Sequence, residues 1–177
     1  FFKQKTAYEI KECDWSSDVC SSDLGVLHVG AVVLPSLISI TEMRPGMSGR
    51  EFITAAVAGY EIGPRVGLCM RPDHLLQGWH SGATLGVFSS AAGAARALKL
   101  DVDKTVHALG IAGTQSAGLM AAQYGAMVKR MHAGRASQSG LYGALIAESG
   151  FTGSLTCWKA TTAASAPPSR ARTTVTT

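Results

Sequence analysis

Apolar residues recur along this chain at helical rather than strand spacing. Ala31 to Glu42 is apolar at intervals of three and four residues and holds Pro35 near its start, where proline is tolerated. Arg44-Pro45-Gly46 breaks the pattern. Ser48 followed by Glu51 has the spacing of a capping box. From there Phe52, Ala55, Ala56, Gly59, Tyr60, Gly63, Val66 and Gly67 predict one helical face to about Met70, with Pro64 as a point of kinking or splitting. Arg71 to Gly78 reads as a loop. Leu85 to Leu100 is crowded with Gly, Ala and Ser, which let helix backbones approach closely, so this helix is expected at the centre. Asp101 opens another helix through Ile111 and Ala112, punctuated by Gly113 and Gly118. Gln138 to Ser149 predicts a further small-residue helix with Gly150 as its C-terminal stop. No segment alternates with period two over a useful length, and no repeat is found. The fold class is all-α.

Both ends change character. Within Phe1 to Leu24, the runs Gln4 to Glu9 and Asp14 to Leu24 resemble a translated sequencing adaptor, with Ile10 to Cys13 where an index would lie. That segment is excluded from fold reasoning as a scar would be. After Thr156 the chain is rich in Thr, Ala, Ser, Pro and Arg, the composition of a disordered tail. A legal back-translation of residues 157–169, read two bases later, gives a more protein-like continuation. This predicts a frameshift near Thr156. The domain expected to fold is 25–156.

Composition then narrows the function classes. Of the four cysteines only Cys69 lies in that domain, so no disulfide framework or cysteine metal site is available, and a reducing, cytoplasmic setting fits. The net charge of +4 is small, and no basic and aromatic interleaving points to nucleic acid. No uncharged apolar run reaches the roughly 20 residues of a membrane span. All five histidines lie in the domain.

The candidate chemistry gathers in Tyr124 to Ala136, where Lys129, Arg130, His132 and Arg135 fall within seven positions of an otherwise small and apolar stretch. On a helix Lys129, His132 and Ala133 share one face, and Arg130 and Gly134 another. A solvated charged face accounts for such a cluster. So does an anion site, because Lys and Arg bind carboxylates and His titrates near neutral pH. His28 stands in a loop, and His80 stands a few residues before a predicted helix start, whose free N–H groups favour anions.

Four stretches carry a resemblance to the MmgE/PrpD family: Leu27 to Pro35, Gly78 to Thr84, His107 to Gly113 and Lys129 to Ala136. The similarity covers essentially all of 25–156, in order. It departs where the family usually has proline, at Val29 and at Ser81, and neither change removes a titratable group. The resemblance implies an internal piece of the large helical domain of a two-domain lyase, a homodimer when full-length, without metal or organic cofactor. Its substrates would be small di- and tricarboxylates, with methylcitrate dehydration, aconitate decarboxylation or iminodisuccinate epimerisation as the reactions to choose between. Carried over by motif, His80 is the acid/base candidate, Lys129 a carboxylate clamp or proton donor, and His28 a substrate-orienting group. His132 and Arg135 are expected to pack or pair structurally. The family's acidic motif before Gly25 and its lid residues past Thr177 are expected to complete the site, so the chain alone is expected to be inactive. A helical scaffold or dimerisation module without chemistry is the competing class.

Overall fold

The computed structural model describes residues 27–70, 73–123 and 127–155. The adaptor-like run and the tail from Cys157 lie outside them. Among the described residues the chain is helical, with no strand and one isolated antiparallel bridge between Trp79 and Leu119.

Helix α1 (Gly30–Met43) follows the buried residues Leu27 and Val29 and buries Val32, Val33, Leu37 and Ile40. It opens one residue earlier than its periodicity predicts, so Pro35 falls in the second turn, on the exposed side. Helix α2 (Gly49–Met70) begins with the capping box. The Ser48 N–H and hydroxyl both donate to Glu51, and the Glu51 N–H donates back to the Ser48 hydroxyl. It runs unbroken through Pro64, which is buried. The short α3 (Asp73–Leu76) puts a helical turn where the sequence predicts only loop, and α4 (Ser81–Thr84) is a second single turn.

Helix α5 (Gly86–Ala97) is the centre, as its composition predicts. Every residue from Gly86 to Ala95 is buried, and it packs against α1, α2, α6 (Val102–Gly113) and α7 (Val128–Glu148). A helix covered all round has no polar face to keep wet, which is why Gly, Ala and Ser fill it. Lys99 follows in the left-handed region at φ +58°, the position where glycine usually ends a helix, and its ammonium pairs with Glu51 at 2.6 Å. Asp101 caps α6 by accepting from the Lys104 N–H at 2.8 Å.

The largest departure from expectation is α7. The basic stretch and the small-residue stretch after Gln138 form one helix of 21 residues rather than two. Gly134 lies inside it and is exposed, and a single helical glycine costs only about 1 kcal/mol against alanine. Packing of the second half on α5 and α6 outweighs that. Gly140 is where the backbones meet: a Cβ there would stand 2.5 Å from the Ala91 nitrogen and 2.6 Å from the Val87 oxygen. Gly150, at φ +92°, ends the helix as expected. The Arg44 guanidinium donates two hydrogen bonds to the Glu148 carboxylate, at 2.7 and 2.6 Å, clasping the end of α1 to the end of α7.

Candidate anion site at the start of α7

His80 is placed by backbone before any side chain takes part. It precedes α4 in extended conformation, φ −88° and ψ 108°, and its N–H donates to the Gly118 carbonyl at 3.0 Å. Nearby, the Met120 N–H donates to the Gly78 carbonyl at 2.7 Å. These bonds flank the Trp79–Leu119 bridge and tie the histidine's loop to the segment after α6. Gly118 has to be glycine on two counts. Its φ is +152°, and a Cβ would run into Ala83 and stand 3.3 Å from His132 Nδ1.

A second layer braces the same loop. His74 is buried, stacks on Trp79 with ring centroids 6.3 Å apart, and contacts Thr84 Oγ1 through Nε2 at 2.7 Å. The Thr84 hydroxyl donates in turn to the His80 carbonyl at 3.2 Å, so His74 must be the donor in its own contact. Ser116 donates to the Thr84 carbonyl at 2.6 Å. Burial holds the His74 pKa below its ordinary value, in keeping with a neutral, structural imidazole.

The side chains of His80 and His132 meet directly. Their Nδ1 atoms are 3.0 Å apart and their rings 5.1 Å apart at an angle of 38°. His132 is only 9% exposed and belongs to the first turns of α7, one turn beyond Lys129 on the same face. Of the two roles the sequence left open for His132, packing or pairing, this contact is a pairing, and its partner is His80. The spacing of Lys129 and His132 was the available signal, and its weakness was that a one-turn interval does not say what faces it. Arg135 behaves as expected, donating to Gln138 at 2.6 Å on the exposed side.

His80 is pushed down to about 4, by burial first and then by the charges of His132, Lys129 and His28. Of the three residues singled out from the sequence, His28 and Lys129 are thus each within electrostatic reach of His80. His28 is exposed, just before α1, and Lys129 is half-buried. Among the described residues no group of three or more His, Cys, Asp or Glu is placed to hold a metal ion. A neutral imidazole paired with a second one, and within electrostatic reach of an ammonium, can exchange a proton while the ammonium holds an anion. A groove of about 330 Å³ lies elsewhere, between α2 and α6, lined by Ile62, Val66, Phe88, Leu109 and Leu155, and it contains none of these groups.

An all-helical domain with basic groups gathered at the start of one helix is the class that fold and site define. Residues 21–170 match the family described as the MmgE/PrpD N-terminal domain, and the chain belongs to that family. It is 45% identical over 134 residues to the cis-aconitate decarboxylase-like protein oryM of Aspergillus oryzae, an alignment covering 72% of this chain and 28% of that protein. It is 42% identical over 130 residues to the cis-aconitate decarboxylase of Aspergillus terreus, covering 71% of this chain and 26% of the relative. The chain thus spans about a quarter of the length of these curated relatives. Among the described residues no helix is long and apolar enough to cross a membrane.

Proposed function

We propose that this chain supplies part of the substrate site of a cofactor-independent lyase acting on small di- and tricarboxylates, of the cis-aconitate decarboxylase and 2-methylcitrate dehydratase kind. The observation that carries the reading is the gathering of Lys129, His132 and His28 around a His80 whose pKa is lowered first by burial and then by their charges. Basic groups drawn together repel one another, and a polyanionic substrate relieves that cost. The names of the relatives support the substrate class.

Both chemistries ask the same of the protein. Loss of water next to a carboxylate needs a base for the carbon-bound proton and an acid for the departing hydroxyl. Loss of carbon dioxide leaves electron density on carbon that must be stabilised and then protonated. In each case cations stabilise the negative charge as it builds. His80 is neutral at pH 7 and takes the acid/base role. Lys129 clamps a carboxylate or donates a proton, and His28 orients the substrate. A full-length homodimer in the cytoplasm belongs to the same reading.

Citrate is a suitable probe because it presents three carboxylates, and the chain alone is expected to be inactive. Titrated into the chain, it should move the ring signals of His80 and His132 in nitrogen-15 spectra. Lys129→Ala should weaken binding on the order of 10-fold or more, the equivalent of one charge-assisted hydrogen bond. Histidine signals that stay put through millimolar citrate would end the anion-site reading.

A further inference from the structure

We infer that His132 is a positioning residue for His80, its ring engaging the Nδ1 edge of His80 so that the Nε2 edge is the one presented to substrate. The inference deepens the proposed anion site and rests on it for its functional meaning, though not for its geometry. A neutral imidazole carries one N–H, and two Nδ1 atoms at 3.0 Å need one hydrogen between them. If His132 donates, His80 must carry its hydrogen on Nε2. If His80 donates, its Nε2 is bare. Either way the state of the His80 edge facing substrate is set by the ring behind it. Both Nδ1 atoms cannot be protonated in this contact, so the pair holds at most one imidazolium without coming apart.

The surroundings are built for that contact. The His80 N–H is fixed to Gly118, and the same Gly118 leaves room for the His132 ring. Gly82 does the same for His80, since a Cβ there would lie 3.1 Å from the imidazole carbon between the nitrogens. His132 rides on α7, whose later turns are locked into α5 at Gly140. The titratable groups acting on His80 are His132 and Lys129 from α7 and His28 from the segment before α1. His74, the nearest other histidine in sequence, is turned to Thr84 instead.

The test uses the chain labelled with nitrogen-15 at histidine and spectra that correlate ring nitrogens with ring protons at neutral pH. His80 and His132 should show opposite tautomers, one Nδ1–H and one Nε2–H. A free histidine side chain disfavours the Nδ1–H form, so its presence in one ring is diagnostic. Two Nε2–H rings would overturn the inference from the unaltered protein alone, whether or not any variant folds. His132→Leu should displace the His80 Nδ1 signal, and His132→Asn, which keeps an amide near the same point, should restore most of it. His74 serves as the folding control. An Nδ1 signal identical in all three proteins would reduce His132 to packing. Citrate separates the two readings: opposed tautomers that ignore citrate keep the positioning pair and remove the anion site, and a citrate response from two Nε2–H rings does the reverse.

Discussion

The two halves of α7 share one backbone and answer to different physics. From Ser137 onward the buried face of the helix is small residues pressed on α5 and α6, with Gly140 admitting the α5 backbone and the Ser90 hydroxyl donating to the Ser137 carbonyl at 2.7 Å. From Val128 to Arg135 it carries four basic or titratable side chains, of which only His132 is buried. The packing half is stabilised by what it lacks, since missing side chains bring backbones together and maximise dispersion contacts. The basic half accepts like-charge crowding. One half holds the helix in place, and the other carries its basic side chains at the place so fixed.

The largest effect should come from blurring that division at its anchor. Gly140→Ala puts a methyl group against main-chain atoms of α5 that have nowhere to go, and overpacking of this kind costs roughly 1–3 kcal/mol, occasionally more. Urea unfolding measures it. The same substitution at the exposed Gly134 should instead stabilise by up to about 1 kcal/mol, because there only helix propensity changes. Equal effects at the two glycines would break the comparison.

Next comes the pH dependence of the basic half. The His80 pKa is lowered in the folded chain, so between 6.5 and about 4 the unfolded state binds the proton and the folded state does not. Stability must therefore fall as pH falls through that window, by at most ~1.4 kcal/mol per pH unit for one proton. His80→Gln should flatten the slope, leaving the smaller contribution of His74, whose shift has the same sign. A slope unchanged in the variant would show that His80 is not the group responsible. The smallest effect belongs to the far end of the packing half. Glu148→Gln breaks the clasp with Arg44, and a partly exposed pair of this geometry contributes about 1 kcal/mol or less. Its loss should be masked in high salt, whereas that of Gly140→Ala should not.

Sequence reached the packing half more fully than the basic half. The composition of Leu85 to Leu100 places that helix at the centre, and the spacing of Ser48 and Glu51 marks a helix start, because both are local rules that tertiary structure had no reason to override. The continuity of α7 was hidden by Gly134, whose local penalty says break while the packing of the turns around Gly140 says continue. The candidate residues His28, His80 and Lys129 stand out in the sequence by type and spacing. The His80–His132 contact was not, since it joins residues 52 apart through the turn at Gly118 and the bridge at Trp79.

The continuity of α7 has an electrical consequence. The peptide dipoles of an unbroken helix sum to a partial positive charge at its start, where acidic side chains are stabilising and basic ones are not. The first turn of α7 has no acidic residue, and Lys129 and Arg130 stand in it. The helix therefore begins against its own field, and its opening turn is held by the packing of later turns rather than by its own charges. An anion arriving there completes the missing half of the dipole's ordinary partnership. Amide protons at the start of α7 should then exchange more slowly with solvent when citrate is bound, while those around Gly140 keep the rate they had.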